Sequence, residues 1–171
     1  MADARDQILD AAERLVIAGR IPPPLQAVAD EAGVSKGGVL YHFTTRTLLH
    51  GLVQRAVRMA DTRLRAAAEA GVMASTWLRM SAPDEPERRL FQAMLSMLRV
   101  TSGGVLDLPA EVREAEVRWD AMLEAELGDP ARARVVRLIG DGLFFAALTG
   151  QAPTTGEVDE LVRHLGLPAA R

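Results

Sequence analysis

Two very short segments of helical apolar spacing, with only a glycine-centred turn between them, restrict the fold of this chain more than any other feature. Leu25, Val28, Ala29 and Ala32 recur at intervals of three and four, and the pattern stops at Gly33. It resumes after Ser35, a favoured helix N-cap type, with Val39, Leu40 and Phe43 set inward. Three prolines, Pro22 to Pro24, precede the pair. They stop any earlier helix, and the last can take a first-turn position of the next, where its missing N–H is no loss. Upstream, Ile8, Leu9, Ala12, Leu15 and Val16 lay one apolar stripe along residues 3–18, closed by Gly19. Two short helices joined by a tight turn and braced by an amphipathic helix form a helix-turn-helix.

The rest of the chain also has helical periodicity. Residues 45–70 carry Leu48, Leu49, Leu52, Val53, Ala56, Val57 and Leu64 behind Thr45 as N-cap. Further helices are expected over 71–80, over 86–101 with an end at Gly103-Gly104, over 109–127 closed by Gly128, over 130–150, and over 154–166. Few stretches gather enough β-branched and aromatic residues for strands, and aromatics are only 4% of the chain. The expected fold is all-α with about nine helices: a helix-turn-helix domain over 1–46 and a larger helical domain over 47–171.

Charge placement gives the helix-turn-helix a purpose. The net charge is −3, which argues against a generic polyanion binder, so any nucleic-acid contact must use a few well-placed cations. Lys36 is the only lysine beside nineteen arginines, and it directly follows the Ser35 cap. Arg46 likewise follows Thr45. A cation in the first turn of a helix is unfavourable by about 0.3–1 kcal/mol, because the helix dipole is positive there. An arriving phosphate reverses that sign, since N–H groups and cation then address one anion. The outward set of the second short helix, Lys36, Gly37, Gly38, Tyr41 and His42, suits major-groove contact. Glycine costs about 1 kcal/mol relative to alanine inside a helix, yet it lets backbone approach DNA closely.

With those residues in view, "LQAVADEAGVSKGGVLYHFTTRTLLHGLV" preceded by "QILDAAERL" resembles the N-terminal domain of the TetR family of transcriptional repressors, over about residues 6–53. The resemblance implies an all-helical homodimer that binds a palindromic operator in double-stranded DNA. It further implies a C-terminal domain that binds a small inducer and dimerises. Phosphate contact by Arg46 is implied, with base or backbone contact by Lys36, Gly37, Gly38, Tyr41 and His42, and contacts near Gln26 and Ser35. Two departures stand out. Pro23 and Pro24 replace the family's frequent threonine at the entrance to the second helix, so that hydroxyl contact is not expected. Leu40 occupies a position where the family often has an aromatic, so a tyrosine–phosphate bond is not expected there.

"RLIGDGLFFAALTG" followed by "TTGEVDELVRHLG" resembles the last two helices of a TetR subgroup, which form a four-helix bundle between subunits. The interface expected from this resemblance comprises Val135, Leu138, Ile139, Leu143, Phe144 and Leu148 on one helix, with Leu161 and Leu165 on the next. A helix apolar nearly all round is buried on several sides, in a core or against a partner. For the inducer, Trp77, Met80, Trp119 and Met122, with Phe91, Met94, Leu95, Met97 and Leu98, offer an adaptable apolar wall. Asp141 is a candidate polar group, with a purely structural role as the alternative.

An enzyme is the main rival class. His42, His50 and His164 are scattered, and no HExxH, GxSxG or phosphate-loop pattern occurs. A helical protein-interaction adaptor is the second rival; it would account for the apolar C-terminal helices but not for the first-turn cations. The chain has no cysteine, and neither a metal site nor a cofactor is expected. The first residues carry acids where a signal peptide would be basic and then apolar, and no apolar run approaches a membrane span. The expectation is a soluble, cytoplasmic protein with no membrane partner.

Overall fold

Nine α-helices and no strand form among the described residues, 3–101 and 108–168, of the computed structural model. They are α1 (Ala4–Ile17), α2 (Leu25–Ala32), α3 (Lys36–His42), α4 (Thr45–Glu69) and α5 (Met73–Met80), then α6 (Glu85–Thr101), α7 (Ala110–Leu127), α8 (Pro130–Leu148) and α9 (Thr155–His164). The all-helical expectation holds; the expected end of α6 at Gly103-Gly104 lies outside the described residues. The helices form two compact units, and the division falls inside α4, after Ala56.

The first unit holds α1, α2, α3, the first part of α4, and α6. Ile8, Leu9, Val16, Val28, Val39 and Leu48 are fully buried in it. Each such side chain contributes about 1.5–3 kcal/mol relative to exposure. That matters because helices as short as α2 and α3 are marginal alone and depend on tertiary packing. Gly33 ends α2 with φ 68°, the left-handed conformation that glycine adopts freely, and Val34 N–H then reaches back to the Ala29 carbonyl at 3.0 Å. Pro24 is the N-cap of α2 rather than a first-turn residue. Gly51 on α4 lies so close to Phe43 and Leu9 that an added Cβ would sit 2.9 and 3.0 Å from their carbons. Arg55 on α4 is ion-paired with Asp10 on α1.

In the second unit α5 packs against α7, α8 and α9. Its core gathers Leu64, Met73, Trp77, Leu78, Leu123, Val136, Val158 and Val162. The start of α5 has no side-chain cap of its own. Glu126 on α7 supplies one from a distance, accepting the Met73 N–H at 2.5 Å and the Ala74 N–H at 2.9 Å. A carboxylate there satisfies orphan donors and complements the positive helix end. Arg137 on α8 is 92% buried yet charged. It pairs with Asp120 and Asp141 at 3.2 and 3.0 Å and with Glu116 at 3.3 Å, and its guanidinium lies 4.7 Å over the Trp77 ring. The expectation of α8 as apolar nearly all round therefore needs correction. One side carries this buried cation, and another leaves Val135, Leu138 and Phe145 in solvent.

Candidate nucleic-acid interface

Helix α3 is held by very few side chains. Val39 is fully buried and Phe43, its C-cap residue, is 3% exposed. At about 100° per residue these two define the inward side, and Tyr41 falls roughly opposite them. Tyr41 is accordingly 83% exposed. Lys36, Gly37 and His42 are exposed with it, and Gly38 is half-buried. The Tyr41 and His42 rings meet edge to face at 5.0 Å, so two of the candidate contact residues orient each other. Leu40 departs from its expected inward position and is 50% exposed. With so short a helix, anchoring by Val39 and Phe43 settles the rotation, and Leu40 turns to solvent beside Lys36 and Gly37.

The caps hold this surface in place. The Ser35 hydroxyl accepts the Gly38 N–H at 3.0 Å, as its N-cap position requires. At the start of α4 the cap is Thr44 rather than the expected Thr45: its hydroxyl accepts the Thr47 N–H at 3.2 Å. Arg46 remains in the first turn of α4 and is exposed. Gln26 is exposed near the start of α2, and its amide donates to Asp30 on the next turn at 2.9 Å. Between residues 22 and 50 the two cations, Lys36 and Arg46, offset the two acids, Asp30 and Glu31, so the segment is formally neutral with its histidines uncharged. Arg14 from α1 pairs with Glu31 at 2.7 Å, so the charge of one of the two acids is already offset. That pairing was not legible in the local sequence, because Arg14 lies seventeen positions away.

The candidate ligand residues divide between the two units. Met94, Met97 and Leu98 on α6 are buried, with Phe91 and Leu95 half-buried, all in the first unit. In the second unit Trp77 is buried, while Met80, Trp119 and Met122 are half-buried against its core. Trp77 and Trp119 are brought together at 5.9 Å between ring centroids. The Trp119 indole N–H donates to Asp61 at 2.6 Å, and Arg118 joins the same carboxylate at 2.7 Å. Asp141 is exposed and accepts from Arg137 Nε at 3.0 Å. Of the candidate interface residues, Val135 and Leu138 are exposed, and Ile139, Leu143, Phe144, Leu148, Leu161 and Leu165 are half-buried. Phe145, 69% exposed, extends the Val135–Leu138 face, and a Cβ at Gly142 on that face would meet nothing within 4 Å.

A helix-turn-helix unit and an all-helical second unit define the class: a regulator-type fold. The family model described as "Tetracyclin repressor-like, C-terminal domain" matches residues 71–166. The chain belongs to the TetR family. Among solved structures it is similar to a TetR family member from Streptomyces coelicolor A3, at 24% identity and a TM-score of 0.62, covering 98% of this chain and 100% of that one. It is also similar to the multidrug binding protein EbrR complexed with imidazole, at 24% identity and a TM-score of 0.61, covering 100% of this chain and 98% of that one. Both likenesses are of fold. No curated protein matches the sequence. Among the described residues no helix is long and apolar enough to cross a membrane.

Proposed function

We propose that this chain is a cytoplasmic transcriptional regulator that binds a palindromic operator in double-stranded DNA as a homodimer, acting as a repressor that a small, mostly apolar inducer releases. The observation that carries the reading is the outward face of α3: Lys36, Gly37, Tyr41 and His42 exposed on a helix anchored by Val39 and Phe43, with Arg46 exposed one helix later. Residues 1–46 serve DNA and residues 47–171 serve ligand binding and dimerisation. The exposed apolar line of Val135, Leu138 and Phe145 supports α8 as the dimer face, since a contiguous exposed apolar patch marks an interaction surface. The apolar ligand class rests on the Trp77–Trp119 pair and the methionines of the body, and on a fold-level analogy with a multidrug binding protein. No catalytic role is part of this reading.

The test is selection of duplexes from a random pool with the full chain. A palindromic site is expected, with affinity falling as salt rises. Lys36→Ala combined with Arg46→Ala should weaken binding across all sequences and lower the slope of log affinity against log salt by about one per lost contact. An unchanged affinity in that double variant rejects the assignment of α3 and α4 to DNA.

A further inference from the structure

The outward face of α3 contains an apolar residue that the electrostatic argument does not use. Leu40 is 50% exposed and adjoins Tyr41 at 83%. A single exposed leucine is ordinary on a protein surface. This one sits within a short, structured face. Leu40 lies one turn from both Lys36 and Gly37, and a Cβ built on Gly37 would meet only the Ser35 hydroxyl, at 3.8 Å. Helical side chains lean toward the N-terminus, so Leu40 stands beside a bare stretch of backbone at Gly37.

The residue types on α3 narrow its use further. Lys36-Gly37-Gly38-Val39-Leu40-Tyr41-His42 contains no arginine, asparagine or glutamine, so Lys36 alone has the charge to read guanine and no side chain offers the bidentate pairing to adenine. The base feature in the major groove that an aliphatic side chain such as Leu40 can read is the 5-methyl group of thymine. On the DNA-binding reading above, on which this inference rests, we propose that Leu40 is a specificity-determining residue that packs against a thymine methyl in each half-site. The hollow at Gly37 lets the helix approach closely enough for that contact. Leu40 discriminates by shape and apolar contact, while Arg46 supplies affinity without sequence.

The experiment starts from the duplex that the full chain selects out of a random pool. Each thymine of the half-site is replaced in turn by deoxyuridine, which removes only the methyl group, and binding is followed by fluorescence anisotropy. At one position per half-site the replacement should weaken binding about fourfold, the worth of one buried methyl. Leu40→Ala, which removes the contact from both half-sites of the dimer at once, should bind the thymine duplex about sixteenfold more weakly and be indifferent to deoxyuridine at that position. Leu40→Met should retain the sensitivity. Circular dichroism of Leu40→Ala should match the parent, since Val39 and Phe43 carry the packing. Deoxyuridine that is neutral everywhere, or a Leu40→Ala variant with undiminished sensitivity, overturns the proposal. A pool that yields no site is a separate outcome, and it removes the DNA-binding reading together with this one.

Discussion

Thr44 and Thr47 cap each other at the entrance to α4. The Thr47 N–H donates to the Thr44 hydroxyl at 3.2 Å, and the Thr44 N–H donates to the Thr47 hydroxyl at 2.7 Å. Two backbone donors are thus satisfied reciprocally in the turn that presents Arg46. Thr44→Ala should cost about 1 kcal/mol of stability, read by urea denaturation, as loss of an N-cap does. Thr44→Ser, which keeps the hydroxyl, should recover most of it. Equal losses for both variants would show that the methyl group, and not the cap, matters at this position.

Gly37 separates stability from function. Its Cβ space is open and its φ is not positive, so alanine fits without strain. Gly37→Ala should leave thermal stability equal or raise it by up to about 1 kcal/mol through helix propensity. The same methyl should hold α3 away from DNA and weaken operator binding several-fold in anisotropy titrations. Tighter or unchanged binding would mean that this face does not approach a groove closely.

Gly140 does the opposite inside the second unit. A Cβ there would lie 2.1 Å from Trp77 Nε1 and 2.8 Å from the Ser81 hydroxyl oxygen. Gly140→Ala should therefore destabilise by about 1–3 kcal/mol, the usual range for overpacking. Combined with Trp77→Phe, which removes the clashing indole edge, the loss should be less than the sum of the two single losses. Chemical denaturation can follow this by Trp119 fluorescence, and strict additivity would contradict the geometry.

Phe145 reports on association. At 69% exposed it contributes little to its own subunit, so Phe145→Asp should leave circular dichroism unchanged while weakening a dimer built on α8. Sedimentation at micromolar concentration should then show a shift toward monomer relative to the parent. A parent chain that is already monomeric would remove the α8 interface from the proposed function.

Glu157 links the end of the fold to pH. The Thr154 backbone N–H and then the Thr154 hydroxyl hold its carboxylate below the usual glutamate range. A group with a lowered folded pKa stabilises above its unfolded pKa and loses that contribution as pH falls through the folded value. The capping box of α9 should therefore be intact at neutral pH and loosen in acid, below the ordinary glutamate value of about 4.3. Glu157→Gln should flatten this part of the acid unfolding profile. A parent and variant with superimposable profiles from neutral to strongly acidic pH would refute the assignment.

Helix content and the glycine-marked helix ends were legible in the sequence because both are local. Glycines 19, 33, 128 and 166 all take positive φ at helix ends, as expected of breaks placed by Gly and apolar period. The Ser35 cap was legible for the same reason, since a hydroxyl and an N–H three residues apart need no distant partner. Tertiary structure alone decided the rotation of α3, which a seven-residue helix cannot specify by periodicity; packing of Val39 and Phe43 turned Leu40 outward. It also decided that Glu126 caps α5, fifty-two and fifty-three positions away, and that Arg137 is buried over Trp77. Spacing along one chain encodes which side of a helix is apolar. Which neighbour covers that side, and which charge meets which, depends on contacts between residues far apart in sequence.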